Sequence, residues 1–318
     1  MKNEFTPITL TAHEIDLIFK LRREEKRNPN YVLWNFDDNM EKVLNTGYEM
    51  MDRTGTGCKY LPGITSVVDI SKRIPIPTRR ATKWKSMLNE YLWFLTGSDK
   101  IDDLNKMGSK VWDFWRDEKW ATENGFEPSS IGYGYGPNLI HSGGDLKDLK
   151  NNPGVNQIDY VINELKTNPT SRRILFDFWR ADKSKNTEVR LNPCHVIYQF
   201  IVEPNKNGEM NNLTCVMYQR SCDSLIGGLS TNLAGATFYT YMLAQQVGMV
   251  PNKLIHCSGH FHLYNNHIPF LKEYLNREAP NSPILKLNKK NSIYEYTADD
   301  FQIEDYNPLQ SMKIPIAV

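Results

Sequence analysis

A cysteine stands at residue 194, directly after Pro193 and directly before His195, where "LNPCHVIYQF" opens an apolar run. As a thiolate it could attack an electrophilic carbon, as a buried thiol it would only fill space, and beside a histidine it could bind a metal. Those neighbours do not choose among the three. Arginines bring a second chemistry: Arg53 lies in "DRTGTG", Arg172 and Arg173 in "TSRRIL", and Arg220, followed by Ser221, in "YQRSCD". A guanidinium grips phosphate through paired N–H bonds, so several of them converging would build a phosphomonoester pocket. Any one of them alone is more simply a surface ion-pair partner, and spacing does not establish convergence. A third chemistry is offered by "HCSGHFHLYNNH" at 256–267, where His256, Cys257, His260, His262 and His267 are dense enough for zinc ligands. Their spacing matches no closed zinc motif, and hydrogen-bonded histidines are the simpler reading.

The elements that must position these residues show in the periodicity. Runs rich in β-branched and aromatic residues at 64–70, 173–180, 195–203 and 213–219 predict strands. Helical patterns cover 83–95, 156–166 and 233–248, and the last is apolar nearly all round, as a buried central helix would be. Helices interleaved with partly antiparallel strands predict an α+β fold with a large mixed sheet. Residues 1–36, with the charged stretch "HEIDLIFKLRREEKRNPN", read as an appendage, and 37–318 as a single domain, since no low-complexity linker or repeat divides them.

Composition narrows the function classes. Across 318 residues, 38 Lys plus Arg balance 37 Asp plus Glu, so nothing draws the chain generally to nucleic acid or an anionic membrane, and any phosphate site must be local. No stretch reaches the roughly 18 apolar residues of a membrane span, and the N-terminus has no secretory h-region. The five cysteines are scattered without a C-x-x-C pair, which fits a reducing cytoplasm (a host's, if the protein is viral) better than a disulfide framework.

In order along the chain, "DRTGTG", "NEYLWFLTGS", "VWDFW", "TSRRI", "NPCH", "YQRSCD", "HFHLYNNH" and the tail "KIPIAV" make it resemble the thymidylate synthase family, which includes pyrimidine-nucleotide hydroxymethylases. The resemblance implies an enzyme that transfers a one-carbon unit from 5,10-methylenetetrahydrofolate to C5 of dUMP. Cys194 would be the nucleophile at C6 of the pyrimidine, with Glu90, Tyr135, His195 and Asp223 as the other catalytic groups. Arg53, Gln219, Arg220 and Ser221 would hold the nucleotide, with His262 and Tyr264 at the ribose and Asn232 at the base. Arg172 and Arg173 would complete the other subunit's phosphate site, which implies a homodimer joined across a sheet face. Trp112, Asp223, Gly227, Arg79 and Val318 would contact the folate. An amide at 232 suits uracil, whereas a carboxylate would suit cytosine.

The chain departs from the family pattern in three places. "PNLI" follows Tyr135-Gly136 where a basic-amide-Trp-Arg string is usual, and His260 replaces a frequent acidic or amide residue. "GGLSTN" carries one residue more than usual between Asp223 and Asn232 and puts Thr231 where an apolar wall is usual. A polar group there favours water at the exocyclic methylene, while Trp112 and the intact tail favour hydride. The loss of the usual string after Tyr135-Gly136 resembles the hydroxymethylases, and the balance falls toward 5-hydroxymethyl-dUMP, with dTMP as the alternative. Readings from other classes are a zinc protein built on 256–267 and a non-catalytic nucleotide-binding relative.

Overall fold

The computed structural model describes residues 26–52, 55–185 and 187–316. A six-stranded mixed sheet dominates the described residues: β1 (Tyr48–Met50), β2 (Cys58–Asp69), β3 (Leu175–Asp177), β4 (His195–Pro204), β5 (Met210–Asp223) and β6 (Val250–Tyr264), in the order β1-β2-β6-β5-β4-β3. β5 and β6 pair in parallel and the other neighbours antiparallel. A second sheet pairs β7 (Ile284–Leu287) with β8 (Phe301–Glu304).

Helices pack on one face of the large sheet. They are α1 (Trp34–Thr46), α2 (Trp84–Leu95), α3 (Ile101–Lys106), α4 (Glu118–Glu123), α5 (Tyr135–Ile140), α6 (Gln157–Thr167), α7 (Ala181–Lys185), α8 (Leu233–Val247) and α9 (Ile268–Asn276). α1 shows why: Phe36, Met40 and Val43 fall four and three residues apart and bury one stripe. α8 is buried from Leu233 through Thr240, which accounts for its apolar circumference, and Gly248 ends it in the left-handed conformation at φ 74°. Antiparallel neighbours can be joined by tight turns, but the parallel β5–β6 pair needs a long crossover. That crossover is a π-helical turn over Ser224–Asn232 running straight into α8.

Most expected elements stand where the periodicity put them, with two differences. The 173–180 run yields only Leu175–Asp177, because it forms an edge strand paired on one side. β6 was not among the expected strands, since Pro251, Asn252, Gly259 and its histidines dilute the β-branched signal. It is nevertheless the central strand between β2 and β5, shaped by its partners. Tyr31, Leu33 and Phe36 are buried in the main core, so the packing reaches upstream of residue 37. The stretch 1–25 lies outside the described residues.

The other face of the sheet holds two cross-strand rows. One runs Thr65–Cys257–Tyr218–Ile197 and the other Val67–Ile255–Val216–Gln199. Val67, Tyr218, Ile197 and Ile201 on this face are exposed.

Candidate functional site

One end of the sheet gathers the reactive residues: the start of β4 and the ends of β5 and β6. Cys194 precedes β4, and its backbone N–H donates to the Tyr135 hydroxyl at 2.7 Å. The backbone N–H of Arg220 donates to Cys194 O at 2.8 Å, bringing the guanidinium to Cys194, with Nη2 4.0 Å from Sγ. That guanidinium also donates to the carbonyls of Pro193 (2.8 Å) and Asn192 (2.9 Å) and lies over Trp179. A cation beside a half-buried sulfur favours its thiolate form.

His195, next to the thiol, is not a second cation. Burial pushes its pKa down to about 3, and its ring stacks on Tyr135 at 4.3 Å while the Tyr198 hydroxyl meets Nδ1 at 2.9 Å. Among the described residues, Arg220 brings a guanidinium to Cys194. Glu90, on α2, accepts from the Trp112 indole N–H at 2.6 Å. Burial lifts its carboxyl to about 7 against that hydrogen bond, which suits a group that moves protons near neutrality.

The π-helical turn forms the next wall. Asp223 accepts from the backbone N–H groups of Leu225 (3.2 Å) and Ile226 (3.4 Å), so the carboxylate that starts the turn is held by it. His267 Nδ1 lies 3.5 Å from the same carboxylate. A π-turn closes over one residue more than an α-turn, and the segment between Asp223 and Asn232, where an extra residue was expected, takes that form. Close packing requires glycine at 228, where a Cβ would come within 2.5 Å of Cys222 Sγ. Gly227 sits in the same turn, beside Asn232. Asn232 closes it, 9% exposed, with Oδ1 accepting from Gln219 Nε2 at 3.0 Å.

At the end of β6, His262 is buried beside His260, the two Nδ1 atoms 3.2 Å apart, and its ring meets Tyr264. Cross-strand register puts Ser221 opposite His260 and Asp223 opposite His262.

Several expected residues are not gathered here. Arg79 is 4% exposed and committed elsewhere: it pairs with Asp37 at 3.2 Å and donates to the carbonyls of Leu275 and Arg277, both at 2.7 Å. In this structure the guanidinium is turned toward Asp37 and these carbonyls. Arg172 and Arg173 are exposed at a cavity of about 430 Å³ with Tyr160, Gln157 and Leu175, and among the described residues neither guanidinium is paired. Arg53 and Val318 lie outside the described residues.

The histidine cluster does not assemble a metal site. Among the described residues no three His, Cys, Asp or Glu side chains group to hold an ion. Each histidine has its own contact instead: His256 with Gln219, His260 stacked on Tyr60, His267 with the Pro315 carbonyl. His262 is 6% exposed, and His267 lies beyond the strand, in the turn Asn265–His267.

Residues the sequence reading passed over include Arg80, which is 7% exposed and donates to Leu225 O at 3.0 Å and to the Ser230 hydroxyl, tying the π-turn to the segment before α2. Tyr91, one residue after Glu90, brings its hydroxyl 3.5 Å from Asn232 Nδ2. The tyrosine in "NEYLWFL" was the available signal for it.

A model of the thymidylate synthase family matches residues 34–318. The thymidylate synthase of Homo sapiens is 35% identical over 304 residues, covering 93% of this chain and 94% of that protein. The thymidylate synthase of Herpesvirus ateles is 35% identical over 287 residues, 88% of this chain and 96% of that one. A bifunctional dihydrofolate reductase-thymidylate synthase of Paramecium tetraurelia is 32% identical over 317 residues, 98% of this chain and 65% of that protein.

Proposed function

Since the chain belongs to the thymidylate synthase family, whose members are one-carbon transferases using 5,10-methylenetetrahydrofolate, we propose that it methylates C5 of dUMP to give dTMP. Cys194 adds through Sγ to C6 of the uracil ring, and Arg220 beside it favours the thiolate. Charge that develops at O4 is met by the Asn232 amide, which is held in place by Gln219. Glu90 moves protons at the base, and neutral His195 with Tyr135 packs behind the nucleophile.

The residues present fit the folate. Asp223 offers acceptors for the N–H groups of a pterin, and the packed indole of Trp112 stands among the rings of Trp93, Trp115 and Tyr135. When bound, the folate supplies the one-carbon unit and then hydride.

The methyl product is carried by one observation. Trp112 is 4% exposed, packed against Trp93, Trp115 and Tyr135, with its N–H spent on Glu90. A wall so fixed keeps water out. The preference for 5-hydroxymethyl-dUMP rested on the "PNLI" that follows Tyr135-Gly136 and on Thr231, whose side chain is one half-buried group in a turn that also buries Leu229 and Ser230. Relatives named thymidylate synthase weigh on the methyl side as well. Incubation with dUMP and methylenetetrahydrofolate, followed by mass spectrometry of the nucleotide, tests this. A methyl product with stoichiometric dihydrofolate is expected, and a hydroxymethyl product without dihydrofolate overturns it.

The same reading takes the protein as a cytoplasmic homodimer. Among the described residues no helix is long and apolar enough to cross a membrane. The exposed rows through Tyr218 and Ile197 offer an apolar face of the kind copies bury, Arg220 lies on the same face of β5, and Arg172 and Arg173 are left unpaired to reach a partner's phosphate.

A further inference from the structure

Behind the base-facing amide lies a chain of buried polar groups whose polarity can be worked out atom by atom. Gln219 is 1% exposed, and its Nε2 lies 3.0 Å from the backbone oxygen of Ser221 and 3.0 Å from Oδ1 of Asn232. A backbone carbonyl only accepts, so that end of the Gln219 amide has to be its NH2 group. The Asn232 atom facing it is then the acceptor Oδ1, and Nδ2 points the other way, toward the Tyr91 hydroxyl at 3.5 Å. The far end of Gln219, Oε1, needs a donor. His256 Nε2 is there at 2.9 Å. His256 is fully buried and its Nδ1 has no hydrogen-bond partner, so the single ring proton belongs on Nε2.

We propose that His256, acting through Gln219, is a specificity-determining positioning residue that holds the Asn232 amide in the orientation that accepts uracil and refuses cytosine. This rests on the reading that Asn232 faces the base. Uracil presents an N3–H donor beside the O4 acceptor; cytosine presents an N3 acceptor beside the N4 amine. An asparagine free to turn over serves either base, because the turn exchanges Oδ1 and Nδ2. The residue type alone therefore does not select, and selection requires that the turn be blocked.

The chain blocks it at both ends. Turning Asn232 over sets its Nδ2 against Gln219 Nε2, donor against donor. Turning Gln219 over to relieve that sets its Oε1 against the Ser221 carbonyl and its NH2 against the His256 N–H. Moving the histidine proton to Nδ1 relieves one of those conflicts and leaves the other. Burial makes each mismatch costly, because no water can step in to repair it.

The test is calorimetric titration of dUMP and of dCMP into the full-length protein without folate, so that the readout is the dUMP:dCMP affinity ratio and not turnover. Gln219→Glu removes the NH2 group and presents acceptors to Asn232, which turns Nδ2 toward it; the ratio should fall by roughly tenfold or more. His256→Leu, which leaves Gln219 Oε1 without its donor, should lower the ratio in the same direction, and His256→Gln, whose amide N–H reaches about as far as Nε2, should restore most of it. Circular dichroism shows which variants fold, and Gln219→Glu decides the matter if His256→Leu does not. An unchanged ratio in the folded variants overturns the proposal, as does an equal loss of both nucleotides, which is what a merely structural role gives. Wild-type protein without preference between the two also overturns it. Wild-type protein that prefers dUMP and loses the preference in these variants, yet makes no C5-substituted product, sinks the one-carbon reading and leaves the orientation device standing.

Discussion

At the scale of single residues the site depends on how each group is surrounded. Cys194→Ala should abolish turnover while leaving dUMP affinity within a few-fold of wild type, because in the proposed site binding rests on Arg220, Asn232 and their neighbours; single-turnover assay beside calorimetry checks it, and turnover above a few per cent would end the covalent mechanism. Glu90 makes a pH statement. Its carboxyl is lifted to about 7 in the fold from an ordinary value near 4.5, so between those values the folded protein holds a proton that the unfolded chain has lost. Stability from this group is complete below about pH 4.5 and drains away as pH rises through about 7, by up to about 3 kcal/mol, less what water in the open cleft returns. Glu90→Gln should flatten that part of the stability–pH curve relative to wild type and lower kcat by roughly a hundredfold or more. Denaturant titrations across that range decide the first point. The sequence showed Cys194 and the arginines as candidate chemistry, yet not which of them meet. Arg79 illustrates the limit: its partner Asp37 lies far back along the chain, and nothing local distinguishes a guanidinium bound for a buried carboxylate from one bound for a ligand.

At the scale of elements, α2 and α8 cross where Tyr91 lies flat against Gly235. A Cβ there would come within 1.9 Å of the Tyr91 ring, so glycine is tolerated in mid-helix for the sake of contact. Gly235→Ala should cost about 1–3 kcal/mol by overpacking, against the gain in helix propensity, and should weaken dUMP binding by displacing Tyr91 from Asn232; thermal melts with nucleotide titration check both. Legibility at this scale followed burial. β4 and β5 alternate or run apolar, and α8 is apolar throughout, so periodicity found them. β6 carries His256, His260 and His262, and those same residues hid it as a strand and suggested a metal. The irregularity before Asn232 was visible, but the π-turn there is tied to Arg80, which reaches Leu225 and Ser230 from a distant part of the chain.

At the scale of the whole molecule, the exposed rows of the sheet and the unpaired Arg172 and Arg173 lead to a test of the shared site. Mixing an Arg172→Ala variant with a Cys194→Ala variant should regenerate about a quarter to a half of wild-type activity, as in sites built across symmetric interfaces. Failure to complement, with mixed dimers demonstrated, would argue against arginines lent across the interface. The α+β class was readable from the interleaving of patterns; the strand order was not, because it depends on the crossover between β5 and β6. That crossover has a consequence in time. Asp223 through Asn232 belongs to the connection itself, so the wall it forms cannot exist until two consecutive strands have closed the long crossover and found their parallel register. Such pairings form late, after the loop entropy has been overcome. During refolding, secondary structure measured by circular dichroism should therefore recover ahead of nucleotide binding, and a nascent chain halted before β6 should hold its nucleophile with no pocket around it.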